Sequence, residues 1–228
     1  KIAYIEEGHY GISGEYNGRI SIAFNYHPEG KGLNYRTNLY YMETPDFGES
    51  WYTAEGEELE LPLTSVENRA LIHDYRSEQL NCYLKDLNYD EKGQPAILVL
   101  SSKGYQSGPA NNPRTWEIFS FDRTWKNTKI TTSDNNYDMG SLYVEPEGIW
   151  RLIAPTRTGP QPFNPGGEVE MWLSQDRGGS WENKKSVTSN SPRNHTYVRR
   201  PIHARPEFYA FWADGHGRKP SKSQLYFS

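Results

Sequence analysis

One eight-residue pattern occurs twice and constrains the fold more than anything else in the chain. Thr44-Pro45-Asp46-Phe47-Gly48-Glu49-Ser50-Trp51 and Ser174-Gln175-Asp176-Arg177-Gly178-Gly179-Ser180-Trp181 share the spacing Ser/Thr-x-Asp-x-Gly-x-x-Trp. A repeated motif implies a repeated structural unit. An apolar run precedes each copy, residues 39–42 and 169–173. Each copy therefore reads as a strand entering a tight turn, where the Asp side chain bonds amides ahead of it and Gly takes a positive φ. The Trp then opens the return strand and covers the turn.

Composition agrees with a chain built of strands. Aromatics make up 14% of 228 residues, with 17 Tyr and 7 Trp, and these residue types suit strands. Twenty Gly and 15 Pro, spread throughout, supply turns and leave little room for long helices. A net charge of -4 argues against a general nucleic-acid binder, so any bound anion must be held by local Arg or Lys. Cys82 is the single cysteine, which excludes an internal disulfide framework. No apolar run is long enough to span a bilayer. The abrupt, strand-like start at Lys1-Ile2-Ala3-Tyr4-Ile5 suggests a mature or cut form whose leader is missing.

With the two motifs placed between third and fourth strands, four units emerge, at about 1–66, 67–133, 134–190 and 191–228. The first has strands near 9–14, 19–27 and 37–44, and an outer strand at 59–63. The second has 82–87, a continuous apolar run at 95–100 that suits a strand buried on both faces, and 115–121 ahead of a shortened motif at Asp122-Arg123-Thr124-Trp125. The third runs from 139–144 through 148–154 to the second motif. The fourth has 197–200, 208–212 and 224–227, with no outer strand.

The repeated motif resembles the Asp-box of sialidase-type β-propellers. Further segments, at 8–10, 36–41, 108–116 (GPANNPRTW), 138–143, 154–156, 166–168, 194–201 (NHTYVRRP) and 211–215, resemble the BNR-repeat proteins of carbohydrate-degrading bacteria. These include propeller polysaccharide lyases that cleave ulvan or rhamnose-glucuronate linkages, and a related glycosidase. The resemblance implies an all-β propeller of four-stranded antiparallel blades, with about four blades here as part of a seven-bladed ring. It implies an acidic polysaccharide as substrate, the missing blades as partner, and a secreted or periplasmic location.

A uronate lyase removes the proton beside a sugar carboxylate, and that proton is acidic enough only if Arg, Asn or a cation neutralises the carboxylate. A Tyr or His takes the proton, and an acid protonates the leaving oxygen. His9 opens an inner strand and His27 closes the adjacent one, so the two can approach across a hairpin. With Tyr75 some fifty residues on, they resemble the His, His, Tyr arrangement of propeller lyases. Tyr137, at the entry to an inner strand, is a second phenol. Arg114 is the expected partner of the carboxylate, with Asn38 or Arg36 behind it. Arg199 and Arg200, with His195 and His203, form the densest basic cluster, and strand alternation lets only one arginine face a channel.

No cofactor is required for this chemistry. A structural metal ion, zinc or calcium, is the one candidate, with Cys82 and His73, His195, His203 or His216 offering the ligands zinc prefers, although no local ligand spacing is present. Two other functions fit the same fold. A sialidase-like or rhamnosidase-type hydrolase needs paired carboxylates, or a Tyr with an adjacent Glu, and no such local motif is visible. A non-catalytic carbohydrate-binding propeller needs only exposed aromatics. An ultraviolet-absorbing unsaturated product separates the lyase from both.

Overall fold

The computed structural model describes residues 1–228, and they fold as four antiparallel meander sheets in succession. The first sheet holds β1 (His9–Tyr16), β2 (Arg19–Tyr26), β3 (Thr37–Thr44) and β4 (Leu71–His73). The second holds β5 (Asn81–Tyr89), β6 (Pro95–Ser102), β7 (Arg114–Asp122) and β8 (Thr124–Ser133). The third holds β9 (Ser141–Val144), β10 (Trp150–Arg157), β11 (Glu168–Ser174) and β12 (Glu182–Ser186). The fourth has three strands, β13 (Asn194–Arg199), β14 (Phe211–Gly215) and β15 (Leu225–Phe227). Two single-turn 3-10 helices are the only helical elements.

The sheets stack through their faces, and β6 shows why. Its residues are all buried. Ala96, Leu98 and Leu100 join Trp116, Leu142, Trp150 and Leu152 in a core between the second and third sheets. Ile97 and Val99, alternating with them, join Leu39, Tyr41, Cys82 and Phe119 between the first and second. The period of two carries one strand into two cores, which is what an unbroken apolar run in sequence encodes. Ile153, Val169, Val198 and Trp212 form the corresponding core between the third and fourth sheets. The fourth sheet packs on the third but has no comparable contact with the first. Phe211, Leu225 and Phe227 are exposed upon it.

Both Asp-box copies adopt the same hydrogen-bonded turn between the third strand and the return strand. The hydroxyl of Thr44 or Ser174 donates to its Asp at 2.8 Å and accepts the N–H of Gly48 or Gly178 at 2.8 Å. The Asp accepts the amide of Ser50 at 3.0 Å or Ser180 at 2.8 Å, and the hydroxyl of the same serine. Gly48 and Gly178 sit at φ 97° and 83°, where a side chain is strained. These bonds favour the charged carboxylate and draw Asp46 down to about 2. Ser174 is 1% exposed, so Ser174→Ala strands the Gly178 amide. A loss of about 1–3 kcal/mol in urea unfolding is expected.

The first sheet departs from expectation at its outer edge. Tyr52 pairs briefly with Glu43 after the first box, and the chain then detours before returning as Leu71–His73. The expected outer strand at 59–63 is therefore a correction. Leu59 and Leu63 instead cover the outer face of the sheet with Ile5, Phe24, Tyr40 and Met42. Ala3 bridges Leu63 in parallel, which ties the start of the chain to the first sheet.

Candidate functional site

The boxes mark one end of the sheets, and the opposite end gathers residues from the starts and ends of several strands. Tyr10 lies at the start of β1, His27 directly follows β2, Arg36 directly precedes β3, Tyr83 lies in β5, and Tyr137 stands just ahead of β9. They converge on the Arg36 guanidinium, which lies 4.0 Å over the Tyr10 ring, 5.2 Å from that of Tyr83 and 5.9 Å from that of Tyr137. Its one hydrogen bond is a 3.3 Å contact to the Leu33 carbonyl, and no carboxylate pairs with it. Aromatic faces hold this cation in place. They leave most of its donors free.

His27 is 2% exposed and stands edge-on to Tyr10, with ring centroids 4.9 Å apart. Its Nδ1 donates to the Tyr35 carbonyl at 2.8 Å, which fixes the tautomer and makes Nε2 the basic nitrogen of the ring. Burial, and then the nearby Arg36 charge, push this imidazole below its ordinary 6.5. Tyr137 is 37% exposed, and its hydroxyl donates to Asn34 Oδ1 at 2.6 Å. Burial holds its phenol above 10 although Arg36 pulls the other way. At neutral pH His27 is thus a neutral base and Tyr137 a protonated acid, both within the influence of one cation.

The segment carrying Tyr137 is held from below. Lys85 Nζ donates to the Asn136 carbonyl at 2.6 Å. Asp138 accepts the Gly166 amide at 2.6 Å and the Ser133 hydroxyl. Both charges are buried, so burial draws the Lys85 ammonium down and pushes the Asp138 carboxyl up, while their mutual attraction opposes both shifts.

Four expected site residues are spent elsewhere. His9 does lie beside His27, across the pairing of His9 with Tyr26, but both its nitrogens are used: Nδ1 donates to the Asn25 carbonyl at 3.1 Å and Nε2 accepts the Ile5 amide at 3.1 Å. Tyr75 is 1% exposed in the core between the first and second sheets, and its hydroxyl donates to Glu117 at 3.0 Å. Asn38 is fully buried at φ 59°, its side chain bound to the Arg76 amide and the Tyr40 hydroxyl. Arg114 is 1% exposed and donates to Asn136 and Asn112 and to the carbonyls of Gly108 and Gln106. That guanidinium clamps the 106–112 loop, and burial lowers its pKa. Arg114→Met is expected to cost about 2–4 kcal/mol in thermal unfolding, because several acceptors lose their donors together. A stable Arg114→Met with a raised KM contradicts the clamp.

The basic cluster separates as strand alternation requires. Arg200 forks onto Asp86, with both contacts at 3.2 Å. Arg199 pairs with no carboxylate, donates to the Lys85 carbonyl at 3.3 Å and covers Tyr197 at 4.8 Å. His195 accepts the Trp212 indole N–H on Nδ1 and meets Ser191 Oγ at 2.9 Å through Nε2, so it is a buried strut. Cys82 and the histidines named as zinc ligands are not brought together. No group of three or more His, Cys, Asp or Glu side chains comes together to hold one, and burial raises the Cys82 thiol well above its ordinary range.

Beside Tyr137, a cleft of ≈ 580 Å³ runs along the same end of the sheets, from Asn34 past Tyr105 and Phe163 to Arg218. Its volume falls within the range of about 300–1,000 Å³ typical of ligand clefts. No Asp or Glu lines it.

Residues 3–133 match the BNR repeat-containing family. The chain belongs to that family. No curated protein matches it. Among solved structures, an ulvan lyase of a new polysaccharide-lyase family superposes with a TM-score of 0.71 at 20% identity, covering 96% of this chain and 50% of that one. A structure of that lyase with a bound saccharide gives the same values. A protein of unknown function from Dyadobacter fermentans follows with a TM-score of 0.59 at 15% identity, covering 97% and 61%. A thermostable family-43 glycoside hydrolase gives 0.51 at 9% identity, covering 95% and 70%. These identities establish a shared fold. This family member spans about half the length of the ulvan lyase it matches.

Sequence reading places Arg36 behind Arg114, and of the two it is Arg36 whose donors the fold leaves largely free. Arg36 and Arg114 are equally polar in sequence; only the fold shows which one has its donors consumed. Tyr10 stands out in sequence only as part of segment 8–10, and Tyr83 carries no signal beyond its place in an inner strand.

Proposed function

We propose that the chain forms the substrate-binding end of a polysaccharide lyase that cleaves a uronate-containing polymer by β-elimination. The observation that carries this reading is the Arg36 guanidinium, free of any carboxylate, 5.9 Å from the ring of the protonated Tyr137 and near enough to His27 for its charge to favour the neutral imidazole. A sugar carboxylate on Arg36 has its charge neutralised, which acidifies the adjacent C–H. His27 Nε2 takes that proton, and its Nδ1–H bond to Tyr35 steadies the imidazolium that forms. The electron pair becomes the new carbon–carbon double bond as the β C–O bond breaks. Tyr137 protonates the departing oxygen. Opposed perturbation of two titratable groups is the pattern by which acid and base roles are divided.

Hydrolysis by a carboxylate pair is less well supported, because it calls for two carboxylates about 5–9.5 Å apart, whereas no Asp or Glu lines the cleft beside Tyr137. A polymeric substrate places the enzyme outside the cytoplasm, and no helix is long and apolar enough to cross a membrane. The exposed apolar residues of the fourth sheet suit further blades of a larger ring. The test is absorbance in the unsaturated-uronate band on mixing the protein with ulvan and a panel of other uronate polymers. A steady rise with at least one polymer is expected, and no rise with any of them sinks the reading.

A further inference from the structure

The cleft beyond Tyr137 carries a second cation that the elimination does not use. Its walls come from the inter-strand loops of all four sheets: Asn34 from the first, Tyr105 and Ser107 from the second, Phe163 and Asn164 from the third, and Arg218 from the fourth. Arg218 is aimed by neutral partners. Its Nε donates to Asn164 Oδ1 at 2.6 Å, a terminal nitrogen donates to Ser107 Oγ, and its backbone amide donates to His216 Nδ1 at 3.1 Å. No carboxylate pairs with it. The chain carries 29 acidic residues against 25 basic ones, so a cleft without a single Asp or Glu departs from the rest of the surface.

Asn34 joins this cleft to the Arg36 mouth. Its Oδ1 accepts the Tyr137 hydroxyl at 2.6 Å, and its backbone carbonyl accepts the Tyr83 hydroxyl at 2.7 Å. A polymer with one uronate on Arg36 therefore continues past Tyr137 into the cleft. There Tyr105 and Phe163, both half-buried, offer ring surface to apolar sugar faces.

We propose that this cleft is a second saccharide subsite in which Arg218 holds an acidic substituent of the same polymer, a sulfate ester or a second carboxylate. The proposal rests on the lyase reading for the polymer's direction and deepens it to the substrate's charge pattern. A guanidinium has five donors in a planar fork. With two engaged by neutral side chains, the rest remain for an oxyanion, which Arg binds through paired hydrogen bonds.

The test is calorimetric titration of the full chain, wild type and Arg218→Gln, with native ulvan, desulfated ulvan and carboxyl-reduced ulvan. Arg218→Gln is expected to weaken binding of native ulvan about tenfold, the scale of a charge-assisted hydrogen bond. The weakening is expected to vanish on desulfated polymer if a sulfate ester is held, or on carboxyl-reduced polymer if a carboxylate is. Arg218→Lys, which keeps the charge and loses the fork, is expected to recover part of the affinity. Equal weakening on all three polymers makes Arg218 a strut between loops and overturns the proposal, as does unchanged binding of native ulvan. The two readings fail separately. Wild-type protein that binds with this charge dependence but forms no unsaturated product defeats the lyase and leaves the subsite standing. Product formation with Arg218→Gln binding like wild type defeats the subsite alone.

Discussion

Arg36→Ala is expected to lower kcat/KM on a uronate polymer about 100–1,000-fold, or about 3–4 kcal/mol, the usual loss when one preorganised electrostatic contact to developing charge is removed. The size of the effect follows from the position of this guanidinium. It stands among Tyr10, Tyr83 and Tyr137 with one 3.3 Å hydrogen bond of its own, so little of its charge is spent within the protein. For the same reason the fold should tolerate the change, with an unfolding midpoint close to wild type. Arg36→Lys is expected to restore only part of the activity, because an ammonium is a point charge without the planar fork. An Arg36→Ala enzyme that keeps most of its kcat/KM removes the carboxylate from Arg36.

His27→Ala is the second large effect, expected at about 100–10,000-fold, the range for a lost general base. Its diagnostic is the pH profile. Burial and Arg36 both lower the imidazole pKa from 6.5, and the neutral ring is the active form. Wild-type kcat/KM should therefore be flat at neutral pH and fall only as the pH drops through a value below 6.5. Tyr137, raised above 10, keeps its proton throughout and sets the far alkaline limb. The acid limb should disappear in His27→Ala, and a limb that persists belongs to another group. His9→Ala offers the contrast. Its two nitrogens bind the Asn25 carbonyl and the Ile5 amide, so it should lose stability and leave the shape of the profile intact.

Much of the fold could be read because its signals are local. The Asp-box is a closed set of hydrogen bonds within seven residues, so Thr44 to Ser50 and Ser174 to Ser180 fold alike in two sheets. The apolar run of β6 states that both its faces are covered. The outer edge of the first sheet misled because Leu59 and Leu63 are apolar for a different reason: they cap a core from irregular chain, and an alternating pattern does not distinguish that from a strand. The candidate site was legible only in part. Which residues stand at strand ends follows from the repeat, and so His27, after β2, and Tyr137, ahead of β9, could be expected at one end of the sheets. Which polar groups remain unspent does not follow, because it depends on partners such as Asn136 for Arg114, Glu117 for Tyr75 and the Arg76 amide for Asn38, each distant in sequence. Arg218 lies in a loop without any motif, and its significance comes from three other loops meeting it.

The central claim is elimination at the Arg36 mouth, and mass spectrometry of products formed from a uronate polymer in heavy-oxygen water tests it most directly. Elimination breaks the C–O bond without adding water, so the account predicts unlabelled fragments whose new non-reducing end lacks one water and carries the double bond. Fragments that have each gained one labelled oxygen, with no unsaturated end, contradict it and assign the site to hydrolysis.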